Sequence, residues 1–286
     1  MVEPNEKIRI ENGGFASELR SFTCEGSRAV IVVVPAMGVA AKFYDRFGES
    51  LASRNFSVFV SELRGIGSSS VRASRAVDFG YRELLDDLAC AVREARARSG
   101  ALPVFVIGHS LGGHLAVLFG GLTRENIAGA GVVAAGTPYF RNWEMPMRAK
   151  LYFGSKIMRG FGTTLGYVPG DRLGFGGREA RTLIREWAHF VGTNEIVVSG
   201  IDAADMKRKM AEATLPLLGV SLEGDDFAPR VSTDRLVAKA PNAKLTRTHL
   251  DGHLFPEKID HFRWAKSPGP VADEIRAWID SLLTAR

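Results

Sequence analysis

The chain has 286 residues, 45% of them hydrophobic and 24% charged, with a formal net charge of +5. That length buries a sizeable core, as one large α/β domain or a domain carrying an insertion, and the composition excludes disorder as the default. The basic excess is dispersed apart from Arg93, Arg96 and Arg98, and with no aromatic-interleaved basic stripe it argues against a nucleic-acid partner.

The first residues, 1–7, are polar and lack the apolar centre of a signal peptide, and the longest apolar run, 29–36, is far too short to span a bilayer. A soluble cytoplasmic protein is expected. Residues 7–24 alternate weakly about Gly13-Gly14 and predict an antiparallel hairpin at a sheet edge. Residues 29–34 are a fully buried strand, which ends in the small-residue loop Pro35-Ala36-Met37-Gly38-Val39. A helix over 43–54, a strand over 57–62 and the sharp loop Arg64-Gly65-Ile66-Gly67-Ser68 follow. The clearest helix is 81–98: Leu84, Leu85, Leu88, Val92 and Ala95 make one apolar stripe, Ser99-Gly100 is its stop, and the arginine cluster lies on its solvated side.

Residues 103–114 organise the rest. Five residues ending in Ile107 form a buried strand, Gly108-His109-Ser110-Leu111-Gly112 fits G-x-S-x-G, and helical spacing continues to Leu122. A strand–turn–helix of this kind lifts a serine hydroxyl clear of the sheet, beside the amides of a new helix, and its glycines fit where any Cβ would collide. With another strand over 129–135, the order from 29 to 138 is strand–helix repeated, hence a mostly parallel, doubly wound sheet.

Composition changes after Pro138. Residues 139–212 are rich in aromatic residues and Met and show no strand–helix alternation, so a largely helical lid is expected there, inserted in a core made of 1–138 and 213–286. The Gly-rich stretch 166–177 is not a phosphate loop, because no G-x-x-x-x-G-K-[ST] is present. The α/β pattern resumes with a strand over 215–222, a helix near 230–240, a strand near 244–248 and an amphipathic helix over 270–283. Cys24 and Cys90, the only cysteines, form no C-x-x-C and no His/Cys cluster at metal spacing. They do not make a disulfide scaffold, and neither a metal nor an organic cofactor is implied.

Ser110 needs a base and an orienting acid, which on this sheet follow in the order acid, then histidine. Asp225 and Asp226 both lie just past the 215–222 strand. Asp225 is favoured by its spacing from Pro229, whereas Asp226 fits helix capping. His109 and His114 flank the serine and suit structural or pocket-lining roles, and His189 falls inside the lid. His253 and His261 both follow the last strand, and position near the final helix favours His261. The Leu111 and Met37 amides are the candidate oxyanion donors.

The motifs PAMGV (35–39), RGIGSS (64–69), GHSLGG (108–113), GDDFAP (224–229) and DHF (260–262) resemble those of the α/β-hydrolase superfamily over nearly the whole chain. GYVPGDRLGFG (166–176) is similar to patterns of a bacterial group related to monoacylglycerol lipases and serine aminopeptidases. The resemblance implies an α/β-hydrolase fold, a Ser110–Asp225–His261 triad, and Met37 and Leu111 as oxyanion donors. Two departures stand out. Pro35-Ala36 replaces the His-Gly that many relatives carry, and Glu62 stands where they often have Asp. The expected activity is hydrolysis of a carboxylic ester of an acyl or aromatic small molecule. Acyl transfer or thioester hydrolysis by the same triad, and a non-catalytic binding homologue, are the alternatives.

Overall fold

The unbroken run of β-branched residues after Ala29 in β3 (Ala29–Val34) builds the centre of the molecule, because both of its faces are covered. Val30, Val32 and Val34 enter the core on one face of the sheet, and Ala29, Ile31 and Val33 enter the core on the other. Each such Val or Ile contributes about 1.5–3 kcal/mol relative to exposure. The computed structural model describes residues 2–123, 125–173 and 176–284. Before β3 lies the hairpin β1 (Glu6–Asn12) and β2 (Phe15–Phe22), turning at Gly13-Gly14. After β3 come a 3-10 turn (Ala41–Tyr44), α1 (Asp45–Ala52), β4 (Phe56–Val60), α2 (Tyr81–Ser99), β5 (Val104–His109), α3 (Leu111–Leu122) and β6 (Gly129–Val133).

The long connection to the next sheet strand holds α4 (Met147–Leu165), β7 (Tyr167–Pro169), α5 (Gly170–Leu173), β8 (Arg178–Ala180), α6 (Arg181–Thr193) and α7 (Ala203–Glu212). The chain closes with β9 (Pro216–Leu222), α8 (Arg230–Val237), β10 (Lys244–Leu250) and α9 (Gly269–Thr284). Eight strands form one sheet in the order β1-β2-β4-β3-β5-β6-β9-β10. The β1–β2 and β2–β4 pairs are antiparallel and the others parallel, giving the mostly parallel sheet that the strand–helix repeat predicts. Residues from α2, α3, α6, α7 and α8 cover one face, and residues from α1 and α9 the other.

Inside the 139–212 segment α4 pairs with α6, and β7 with β8 in a small antiparallel ribbon. That ribbon is an addition to the largely helical segment expected there. Its strands are only three residues long, too short to show period-two alternation. Within the GYVPGDRLGFG stretch, Gly174 and Phe175 lie outside the described residues. By contrast α7 packs on α3, with Met206 and Met210 in the sheet core. Among the described residues no helix is long and apolar enough to cross a membrane. Cys24 and Cys90 are free thiols.

Strand register sets the functional edge. Val34 of β3 pairs with Gly108, and His109 pairs with Val133 of β6, so Ser110 emerges just beyond the carboxyl ends of three adjacent strands. Leu222 and Leu250, paired at the ends of β9 and β10, launch the loops that carry Asp225 and His261 toward the same edge. Carboxyl ends are where open α/β sheets place ligands, since the loops there are free of the strand ladder.

Candidate active site

The turn at Ser110 is strained, and its neighbours are chosen to permit it. Ser110 has φ 52° and ψ −116°, a conformation costly for a residue with a Cβ. A Cβ on Gly108 would lie 2.0 Å from the Gly112 carbonyl oxygen, and one on Gly112 would lie 2.1 Å from that of Val34. Both positions therefore exclude any side chain. The turn is held by Ser110 C=O, which accepts from the Gly113 N–H at 2.9 Å.

Asp225 is buried, and its Oδ1 accepts the Phe227 and Ala228 amides, both at 2.9 Å. Those two bonds turn the carboxylate inward. His261 Nδ1 lies 2.9 Å and 3.0 Å from the two carboxylate oxygens, and its Nε2 lies 3.0 Å from Ser110 Oγ. The partners assign the tautomer: Nδ1–H donates to Asp225, and Nε2 accepts the Ser110 proton. Asp226 and His253 stay outside this line. Asp226 is exposed, and its backbone carbonyl accepts the Trp143 indole N–H at 2.7 Å. His253 sits exposed in a 3-10 turn, Gly252–Leu254.

The loop that carries His261 is anchored by Trp264, which is fully buried and meets Phe47 edge-on at 5.1 Å. Its anchorage is in the α1 side of the core rather than beneath the 139–212 segment. Phe262 and Phe227 remain partly exposed and flank the His261 ring at 4.8 and 5.4 Å.

Beside the serine, the loop after β3 carries Met37, half-buried against the core, while Leu111 opens α3. Among the described residues neither the Met37 nor the Leu111 amide donates a hydrogen bond within the protein. Gly38 has φ +71°, and a Cβ there would lie 2.2 Å from Gly176 Cα and 2.8 Å from Gly177 N, so this loop meets Gly176 and Gly177 backbone to backbone. Glu62 secures the loop from behind: Oε1 accepts Ala41 N–H at 2.8 Å and Oε2 accepts Ser68 N–H at 3.0 Å. Burial raises its pKa despite those two amides. The Glu62 carboxylate thus ties two loops together, a structural part.

Residues 25–254 match the family model described as serine aminopeptidase, S33. The chain belongs to that family. Its mostly parallel sheet, with flanking helices, is that of the α/β-hydrolase fold. A protein from Schizosaccharomyces pombe named as a monoglyceride lipase is 32% identical over 117 residues, which is 40% of this chain and only 30% of that protein. Among solved structures, a lipase from Acinetobacter baumannii aligns with TM-score 0.66 at 16% identity, covering 98% of this chain and 93% of that one. A thermophilic esterase from Thermogutta terrifontis aligns with TM-score 0.63 at 16% identity, over 97% and 99% of the two chains. At that identity the two structures share the fold.

For this S33 family chain, the structure brings two further side chains to the site. His109, expected to be structural or pocket-lining, lies directly behind the His261 ring, at 4.8 Å. Tyr44 was not singled out, although its hydroxyl reaches both His109 and the loop before Met37. A tyrosine at the end of a short helical turn carries no local signal for such a role. His114 and His189 are elsewhere: His114 is buried between Tyr81 and Gly136, and His189 lies on α6.

Proposed function

We propose that the protein hydrolyses carboxylic esters of small acyl or aromatic molecules through an acyl-enzyme formed on Ser110. The observation that carries this is the continuous Ser110–His261–Asp225 hydrogen-bonded line at the carboxyl edge of the sheet. Ser110 Oγ attacks the ester carbonyl as His261 Nε2 takes its proton. Asp225 keeps His261 in the accepting tautomer and stabilises the imidazolium that forms. The carbonyl oxygen, now negative, is received by the Leu111 and Met37 amides, which have no other described partner. His261 then returns the proton to the leaving alkoxide, and water repeats the sequence on the acyl-enzyme.

In this reading residues 139–212 act as a lid over the site. Tyr139, Phe140, Tyr152 and Phe153 form a run of ring contacts at 5.0–5.4 Å, and the Trp143 indole ties that segment to the Asp226 carbonyl. With Phe227 and Phe262 beside His261, this presents apolar surface to an acyl or aromatic group. The S. pombe relative's name, a monoglyceride lipase, also points to an acyl ester.

The test pairs a panel of p-nitrophenyl acyl esters and acyl thioesters with a fluorophosphonate probe, on wild type and Ser110→Ala. Ester turnover and probe labelling are both expected in wild type and both lost in Ser110→Ala, which folds normally. Loss of one triad member costs several orders of magnitude in rate, so turnover above about a tenth of wild type in Ser110→Ala refutes the nucleophile. Preference for thioesters, or acyl transfer to an added alcohol, would replace the ester reading.

A further inference from the structure

One hydroxyl touches both halves of the site. Tyr44, fully buried, accepts the Ala36 N–H at 2.9 Å, and the same oxygen lies 2.7 Å from His109 Nδ1. Ala36 immediately precedes Met37 in the candidate oxyanion loop and is itself 1% exposed. A phenol has one proton, and His109 Nδ1 is the acceptor available to it, so His109 carries its own proton on Nε2. The His109 ring stands 4.8 Å from the His261 ring at 47°, and is boxed by Trp264 at 5.3 Å and Phe262 at 5.9 Å. Burial first, and then the charge of a protonated His261, hold the His109 pKa well below the ordinary imidazole value.

We propose that Tyr44 and His109 are positioning residues, a two-member strut that fixes the Met37 loop and the back of the His261 ring relative to one another. The inference rests on the Ser110–His261–Asp225 reading above. Its physical basis is that the base must stay within hydrogen-bond reach of Ser110, while the oxyanion donors must point at a position that only the reacting carbonyl defines. Those two groups sit on loops far apart in sequence. The Tyr44 hydroxyl is a single atom bonded into the first loop and, through His109, packed against the second. A neutral His109 also matters when His261 becomes an imidazolium, because a second cation at that distance would oppose the proton transfer.

Removing the hydroxyl strands a buried Ala36 N–H and leaves His109 Nδ1 without its donor. A buried unsatisfied donor costs about 1–3 kcal/mol, and where that strain falls on the transition state it corresponds to roughly a tenfold or greater loss in kcat. The experiment measures kcat and KM on an acyl ester for Tyr44→Phe, His109→Phe and the double variant, with active sites counted by fluorophosphonate labelling. Each single variant is expected to lose about tenfold or more in kcat per labelled site with KM changed by no more than about twofold. Because the pair acts as one unit, the double variant should fall within about twofold of the poorer single.

Unchanged kcat per labelled site in Tyr44→Phe, whatever the yield of folded protein, overturns the proposal, and so do losses that multiply in the double variant. His109→Asn guards against poor folding of His109→Phe, since its amide oxygen keeps an acceptor near the Nδ1 position. It should retain more kcat per site than His109→Phe, and the reverse order overturns the hydrogen-bonded strut. Ser110→Ala runs alongside: if it remains active, the triad reading fails and takes the strut with it. If it is inactive while Tyr44→Phe is normal, the strut alone fails.

Discussion

Lowering the pH from 7 toward 4 should destabilise this fold through His114, and the size of the effect follows from its surroundings. His114 is buried in α3; its Nε2–H donates to the Gly136 carbonyl at 2.8 Å, and its Nδ1 faces the Tyr81 hydroxyl at 2.9 Å. Both ring nitrogens are satisfied in the neutral form. Burial pushes the pKa down from 6.5 to about 4, against a smaller upward pull from the Gly136 carbonyl. The unfolded chain therefore binds a proton between those two values that the folded chain refuses. Stability from this group is complete above 6.5 and is lost as pH falls toward the folded pKa, at about 1.4 kcal/mol per pH unit, or about 3 kcal/mol in all. Urea unfolding followed by tryptophan fluorescence, at several pH values from 7.5 to about 4, gives the curve for wild type and for His114→Gln. The variant should be less stable at pH 7 because it loses ring packing against Phe190. Its stability should also fall by about 3 kcal/mol less over the same range. His109, depressed for a similar reason, is present in both proteins and cancels from the difference. Parallel curves, or an imidazole resonance of His114 titrating near 6.5, would refute the reasoning.

The acid and the base give two further expectations, both read as ester turnover. Asp225→Asn should lose about three to four orders of magnitude in kcat, because an amide at that position favours the wrong imidazole tautomer. Asp226→Asn should stay near wild type, since its side chain is exposed and only its backbone carbonyl is engaged; equal losses would show that the loop is wrongly apportioned. His261→Ala should be as inactive as Ser110→Ala, whereas His253→Ala, altering an exposed 3-10 turn, should keep most of its turnover. A His253→Ala protein as dead as His261→Ala would remove His261 from its role as the sole base.

What the sequence by itself determined is local in origin. The buried strand, the G-x-S-x-G turn and the helix after it stand within two residues of their expected limits, because apolar run, glycine collision and helical spacing all act within a few residues. The edge hairpin at Gly13-Gly14 and the parallel order of the sheet were legible for the same reason, as pattern repeated along the chain. Tertiary structure decided what depends on contacts between distant segments. Asp225 and Asp226 are chemically identical neighbours, and only the inward hydrogen bonds from Phe227 and Ala228 turn the first toward His261. His253 and His261 both follow β10, and burial of Trp264 against Phe47 and His109 sets the course of the loop that brings the second beside Ser110. Tyr44 and His109 are 65 residues apart, and nothing in the local pattern of either marks their hydrogen bond. Such a pair forms only when the 3-10 turn after β3 and the end of β5 are pressed together by the core they share, which no periodicity along one stretch of chain can encode.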